Sequence, residues 1–139
     1  VPGDGNTFLV HNALERPEKR KSKAIMSDHF EEIGQILQSF CRNNNIQLNE
    51  ILRAAINFTY NNGSQKSPAH VDHDYPHKQL IVYLNDCDKK AHTVILDEKG
   101  KILKRIQPKK YKGVCFESLP HYAVFPKTGH RIIGVFTFR

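Results

Sequence analysis

The chain has 139 residues, 39% of them apolar and 25% charged, which suits one packed core and is too little for several domains. Its apolar runs are short, so no membrane span is expected. The net charge of +7 permits an anionic partner, but no basic helix or aromatic-interleaved RNA-binding signature accompanies it, and a solvated basic surface is the expectation.

The opening VPGDGNTFLVHN has neither the basic n-region nor the apolar h-region of a secretory signal, and a chain headed by Val1 rather than Met fits a fragment. Residues 7–11, TFLVH, are a candidate strand, and residues 15–24 a charged loop around Pro17. The segment SDHFEEIGQILQSFCRNNN predicts one amphipathic helix. Ser27 or Asp28 can cap it, acids fill its first turn, and Phe30, Ile33, Leu37, Phe40 and Cys41 form its apolar stripe, with Asn43, Asn44 and Asn45 as its end. From residue 51 the period changes to alternation. Candidate strands are 52–60, 69–72, 79–84, 92–97, 101–106, 112–116, 121–125 and 131–138, bounded by turn signals such as NNGS, NDCD, DEKG and KTGH. Closely spaced strands without helices between them predict an antiparallel sandwich, barrel or jelly roll, with the single helix packed outside one sheet. Most of the positive excess lies in two runs, 15–23 and 99–112. Cys41, Cys87 and Cys115 are odd in number and widely spaced, which fits neither a disulfide framework nor a CxxC zinc site and points to a reducing, cytoplasmic location.

The densest chemistry lies in SPAHVDHDYPHKQLIVYLN, residues 67–85. On a strand, residues two apart face one side, so His70 and Asp72 offer an imidazole and a carboxylate together. A lone His-x-Asp is a weak signal, expected by chance roughly once in two or three chains of this composition. His29-Phe30-Glu31 is a decoy, because on a helix a two-residue step separates the side chains. A third ligand comes from SLPHYAVFPKTGHRIIGVFTFR: His121 opens a strand, and Arg131 opens the next, ten residues on. Two histidines and a carboxylate form the facial triad of non-haem Fe(II) oxygenases, with open coordination positions. An arginine in the adjoining apolar strand can hold a carboxylate in its planar fork. Asp72 is read as an accessible ligand whose loss spares the fold.

Tyr60-Asn61-Asn62-Gly63, His70-Val71-Asp72, Tyr83-Leu84-Asn85, His121 and Arg131 stand in an order that resembles the Fe(II)/2-oxoglutarate-dependent oxygenases, closest to their prolyl 4-hydroxylase-like branch. The likeness covers residues 52–139. It implies a double-stranded β-helix, a form of jelly roll, within one domain: a support of residues 1–50 and a core of residues 51–139. It also implies a dioxygenase that uses Fe(II), 2-oxoglutarate and O2, hydroxylates a peptidyl, prolyl-type substrate and releases succinate and CO2. By resemblance, His70, Asp72 and His121 bind the metal and Arg131 pairs with the distal carboxylate of 2-oxoglutarate. Tyr83 would donate a hydrogen bond to that carboxylate. Tyr60 would line the pocket, Gln79 would lie beside the metal, and Thr93 would keep an inward position with Ile95. The chain departs from the family at DKKAHTVIL, where many members have Gly-Gly. It departs again at Ile133, where several have Ser or Thr, and at Thr137, where an aromatic is common.

Two rival readings remain: the same chemistry on a nucleobase or small molecule, and a non-catalytic metal-binding jelly roll. A peptide or protein substrate is favoured over nucleic acid. His73 and His77 are spaced as a helical zinc pair, but Pro76 opposes a helix, and both are expected at the rim or in solvent.

Overall fold

In a computed structural model of the protein, which describes residues 8–19 and 27–139, the strands form two antiparallel sheets. The elements are β1 (Leu9–Leu14), α1 (Phe30–Asn43), β2 (Ile51–Tyr60), β3 (Lys78–Tyr83), β4 (Thr93–Leu96), β5 (Ile102–Ile106), β6 (Gly113–Glu117), β7 (His121–Ala123) and β8 (His130–Phe138). The larger sheet runs β1-β2-β8-β3-β6 and the smaller β5-β4-β7. The last strand thus returns between β2 and β3, a jelly-roll winding that places the C-terminal residues at the centre of the large sheet.

Alternation along β3 and β8 assigns their two faces. Leu80, Val82, Phe136 and Phe138 point outward and pack with Leu37 and Cys41 of α1, while Ile81, Tyr83, Ile133 and Val135 point between the sheets. Both faces are covered, so these strands read as almost continuous apolar runs. Gly113 lets the helix approach: a Cβ there would lie 2.9 Å from Cε2 of Phe40. Leu37 is fully buried in this seam. Leu37→Ala should therefore cost about 2–5 kcal/mol, seen as a lower midpoint in urea unfolding. A loss near zero would mean that α1 is not docked on the sheet.

Several expectations shift. The first strand is Leu9–Leu14 rather than 7–11, and Thr7 lies outside the described residues, as do 20–24 of the charged loop and with them 20–23 of the basic run 15–23. Pro17–Lys19 form a 3-10 turn. Neither Ser27 nor Asp28 is the N-cap; His29 is, without a side-chain cap bond, because residues 27–29 form a turn in which the Ser27 carbonyl accepts from Phe30 N at 3.0 Å. Asn45, at φ 54°, ends the helix in the left-handed region that Asn tolerates. Residues 69–72 are not a strand. Pro68 lacks a ladder donor, and pairing shrinks to a single bridge, His70 with His121. The basic hairpin is exposed: Ile102 to Arg105 of β5 all face solvent on an edge strand, after a turn in which Asp97 Oδ1 accepts from Lys99 N and Lys101 N.

Candidate metal centre

The His70–His121 bridge carries the site. His70 N donates to His121 O at 3.1 Å and His121 N to His70 O at 3.0 Å, which brings two distant segments level and their rings to 4.6 Å between centroids. Asp72, two residues beyond, turns its Oδ1 to 3.2 Å from His70 Nε2 and 3.4 Å from His121 Nε2. The ligand atoms of the three residues lie within 4.8 Å of one another.

The proton positions follow from the neighbours. His70 Nδ1 is 3.1 Å from the Pro68 carbonyl and His121 Nδ1 is 3.0 Å from the Leu119 carbonyl. A carbonyl only accepts, so each Nδ1 carries a hydrogen and a neutral ring presents its Nε2 lone pair to Asp72. Asp72 Oδ1 is buried and has no hydrogen bond of acceptable geometry in spite of those short distances. Three lone-pair atoms aimed at one point repel each other unless a cation lies between them. This donor set of two imidazoles and one carboxylate fits a divalent first-row ion with open positions. Burial alone would raise the Asp72 carboxyl, but where a proton takes the place of an ion on Nε2 the two imidazoles donate to it, and together with Arg53 they outweigh burial and hold it far below the usual carboxylate range. The carboxylate in turn raises the His70 imidazole, against the effect of burial.

Around the triad, the other carboxylate oxygen, Oδ2, accepts from Arg53 Nη1 at 3.3 Å and lies 3.9 Å from Arg16 Nη2. Gln79 Nε2 is 3.2 Å from His121 Nε2. The triad, Arg16, Arg53 and Gln79 all line a cavity of about 250 Å³ between the sheets. Arg131 lies in the same cavity, 1% exposed. Its Nε donates to Ala91 O at 3.3 Å and its Nη2 to Thr93 Oγ1 at 2.8 Å, and its guanidinium carbon stands 5.5 Å from the centre of the Tyr83 ring. Among the described residues no carboxylate forms an ion pair with it. A buried guanidinium without a counter-anion is costly, and the cavity beside it leaves room for one.

Two expected roles do not match the positions of their residues. Tyr83 points between the sheets but does not line the cavity. Its hydroxyl donates to Ile106 O at 3.1 Å, accepts from Thr93 N at 3.2 Å, and lies 2.7 Å from Thr93 Oγ1. With its proton committed to Ile106, Tyr83 braces Thr93, and Thr93 is the residue at the cavity wall. Tyr60 is also outside the lining, since on β2 the cavity face carries Arg53, Asn57 and Thr59 and Tyr60 has the opposite parity. His73 and His77 are buried rather than at the rim. His73 Nδ1 is 2.8 Å from Glu18 Oε1 and its Nε2 is 2.7 Å from Thr137 Oγ1, so Thr137 ties β8 to the N-terminal segment. Arg53 and Asn57 were not singled out from the sequence. An arginine within the apolar run ILRAAINFTY is the same signal that drew attention to Arg131.

The sequence matches no protein-family model and no curated protein. Solved structures do match. An oxidoreductase of the 2OG-Fe(II) oxygenase family from Burkholderia pseudomallei aligns at TM-score 0.73 and 12% identity, over 94% of this chain and 65% of that one. A prolyl-4-hydroxylase from Pseudomonas putida aligns at 0.58 and 16%, over 94% and 68%. The viral collagen prolyl hydroxylase of Paramecium Bursaria Chlorella virus-1, solved as its 2OG complex, aligns at 0.61 and 17%, over 99% and 82%. At these identities the likeness is one of fold: a mainly β, double-stranded β-helix with one N-terminal helix. The chain spans a little under two thirds of the Burkholderia protein. No described helix is long and apolar enough to cross a membrane.

Proposed function

We propose that this protein is an Fe(II)- and 2-oxoglutarate-dependent oxygenase acting on a peptidyl, prolyl-type substrate, with residues 51–139 as its core and residues 1–50 as support. The observation that carries the reading is the pairing, in one cavity, of the His70–Asp72–His121 donor set with a buried Arg131 that no described carboxylate pairs. Two of the matching structures are prolyl hydroxylases, which supports the substrate class.

On this reading His70 Nε2, Asp72 Oδ1 and His121 Nε2 hold the ion, and Arg131 receives the far carboxylate of 2-oxoglutarate. When bound, iron with 2-oxoglutarate and O2 supplies an oxidant able to take hydrogen from an unactivated C–H bond, with succinate and CO2 as co-products. The chain's own part is positional. The Pro68 and Leu119 carbonyls fix the imidazole tautomers, Arg53 and Arg16 pin Asp72 through Oδ2, and Thr93, braced by Tyr83, holds the Arg131 fork toward the cavity. Gln79 donates to the His121 lone pair and must yield it to the ion. Burial of Arg131 and Asp72 keeps water away from both charges and strengthens their contacts.

The test is thermal unfolding with Mn(II) and 2-oxoglutarate, added singly and together under argon. A ligand at a hundredfold excess over its Kd stabilises by about 2.7 kcal/mol, a shift of several degrees. The expected result is a shift with metal, a further shift with 2-oxoglutarate only when metal is present, and succinate release with Fe(II) in air. A 2-oxoglutarate shift that needs no metal would contradict the assignment.

A further inference from the structure

The reading above uses Arg131 but leaves a second set of cations in the same cavity unexplained. On the opposite side of the triad stand Arg16, Lys19 and Arg53, and among the described residues the carboxylates that share their side of the cavity are Glu15 and Asp72. Asp72 Oδ2 serves two guanidinium groups at once, at 3.3 and 3.9 Å. Arg53 is 9% exposed, and its Nε is buried without a hydrogen-bond partner, as is Nε of Arg16. Four residues further along the same face of β2, Asn57 Oδ1 also lines the cavity, buried and unpartnered. Before any ligand enters, the described residues on this side carry one positive charge more than their carboxylates balance. A divalent ion on the triad adds two more, of which a chelating co-substrate returns only part.

We infer that the Arg53–Arg16 side of the cavity is a substrate subsite for a carboxylate, so that the protein selects peptides with Asp or Glu within one or two residues of the oxidised position. This rests on the proposed oxygenase reading for which residue is oxidised, and on Arg53 and Arg16 alone for the acidic neighbour. A guanidinium fork already held at Nη1 by Asp72 can give its free edge to a second carboxylate, with Arg16 closing on it from the rim. Arg53 Nη1 is in contact with a triad residue, so the anion it holds lies within one side-chain length of the reacting centre. A peptide is favoured over nucleic acid because β1 is the edge strand of the large sheet and its Val10 and Asn12 line the cavity. An extended peptide can continue that sheet and drop a side chain inward.

The experiment uses two pools of acetylated hexapeptides, identical except for Glu or Gln at the third position, incubated with Mn(II)- and 2-oxoglutarate-loaded protein. Retained peptide is read by ultrafiltration and mass spectrometry. The Glu pool should be retained at least tenfold over the Gln pool. Arg53→Gln should abolish that preference and Arg16→Gln reduce it severalfold, each variant first shown to unfold cooperatively. Arg16, with its more exposed side chain, keeps the test valid if Arg53→Gln fails to fold. Equal retention of the pools, retention of neither, or a preference that survives in both variants overturns the inference. So does a short oligouridine that binds in an Arg53-dependent way and displaces the Glu pool, which would assign the subsite to phosphate. If the Glu pool binds through Arg53 while 2-oxoglutarate does not bind at all, the oxygenase reading fails and the subsite stands.

Discussion

Asp72→Asn should abolish the metal-induced thermal shift and bring 2-oxoglutarate turnover below detection. The carboxylate is the one formal negative charge in the triad, and without it two neutral imidazoles are left to hold a divalent ion against water. The variant should also be less stable before any metal is added. Contrary to the expectation of an accessible ligand, Asp72 is buried, and its Oδ2 is the counter-anion of Arg53 and Arg16. Removing one partner of a buried ion pair costs about 3–5 kcal/mol, because the other charge is left uncompensated. Asp72→Ala would add a void to that cost, so Asn, which keeps the shape, is the better probe. A variant that still shows a wild-type metal shift would sink the triad assignment. One that loses the shift at unchanged apo stability would instead show that the arginines are satisfied elsewhere.

The sign of the pH effect follows from the same contacts. The folded-state Asp72 carboxyl lies below its ordinary value, so the unfolded chain takes up its proton first as pH falls. The stability it contributes is therefore complete at neutral pH and is lost only below about pH 4, the ordinary Asp value. In metal-free protein, Asp72→Asn should narrow the gap between stability at pH 7 and at pH 3.

How much of this could be read in the residues differs from element to element. Alternation located β3 and β8 to within a residue, because both strands are central and their two apolar sets face different cores. It failed at 69–72, where a backbone that makes one bridge looks, in residue type, like a strand. The two metal-ligand candidates there still converge, since Asp72 needs only to lie just past His70 at the bridge. Tyr60 and Tyr83 came from the order of family motifs, which carries no information about strand parity or about where a hydroxyl proton goes. Parity turns Tyr60 away, and the Tyr83 hydroxyl donates to the Ile106 carbonyl. His73 and His77 looked solvated because polar loops usually are, yet Glu18, more than fifty residues earlier, supplies the partner that lets His73 be buried. Contacts of that range have no local signature. Arg53 did have one, a charge inside an apolar strand, and the same logic that found Arg131 applies to it.

Arg131→Ala should raise the 2-oxoglutarate Kd or KM at least tenfold while leaving the Mn(II) affinity within a factor of a few. A buried, charge-assisted pair is worth on the order of 2–5 kcal/mol when one side is truncated, and each 1.4 kcal/mol is a factor of ten. The rival explanation is structural, since Arg131 also donates to Ala91 O and Thr93 Oγ1 and crosses the Tyr83 ring. Arg131→Lys separates the two. Lysine keeps the positive charge but cannot span Ala91, Thr93 and a carboxylate with one planar fork, so 2-oxoglutarate binding should recover only in part. The metal site should be indifferent to all of this, because among the described residues no hydrogen bond or ion pair links Arg131 to His70, Asp72 or His121. Metal and co-substrate affinities that fall together in both variants, with a broadened unfolding transition, would mean that Arg131 holds the two sheets together and that the anion site must be sought elsewhere in the cavity.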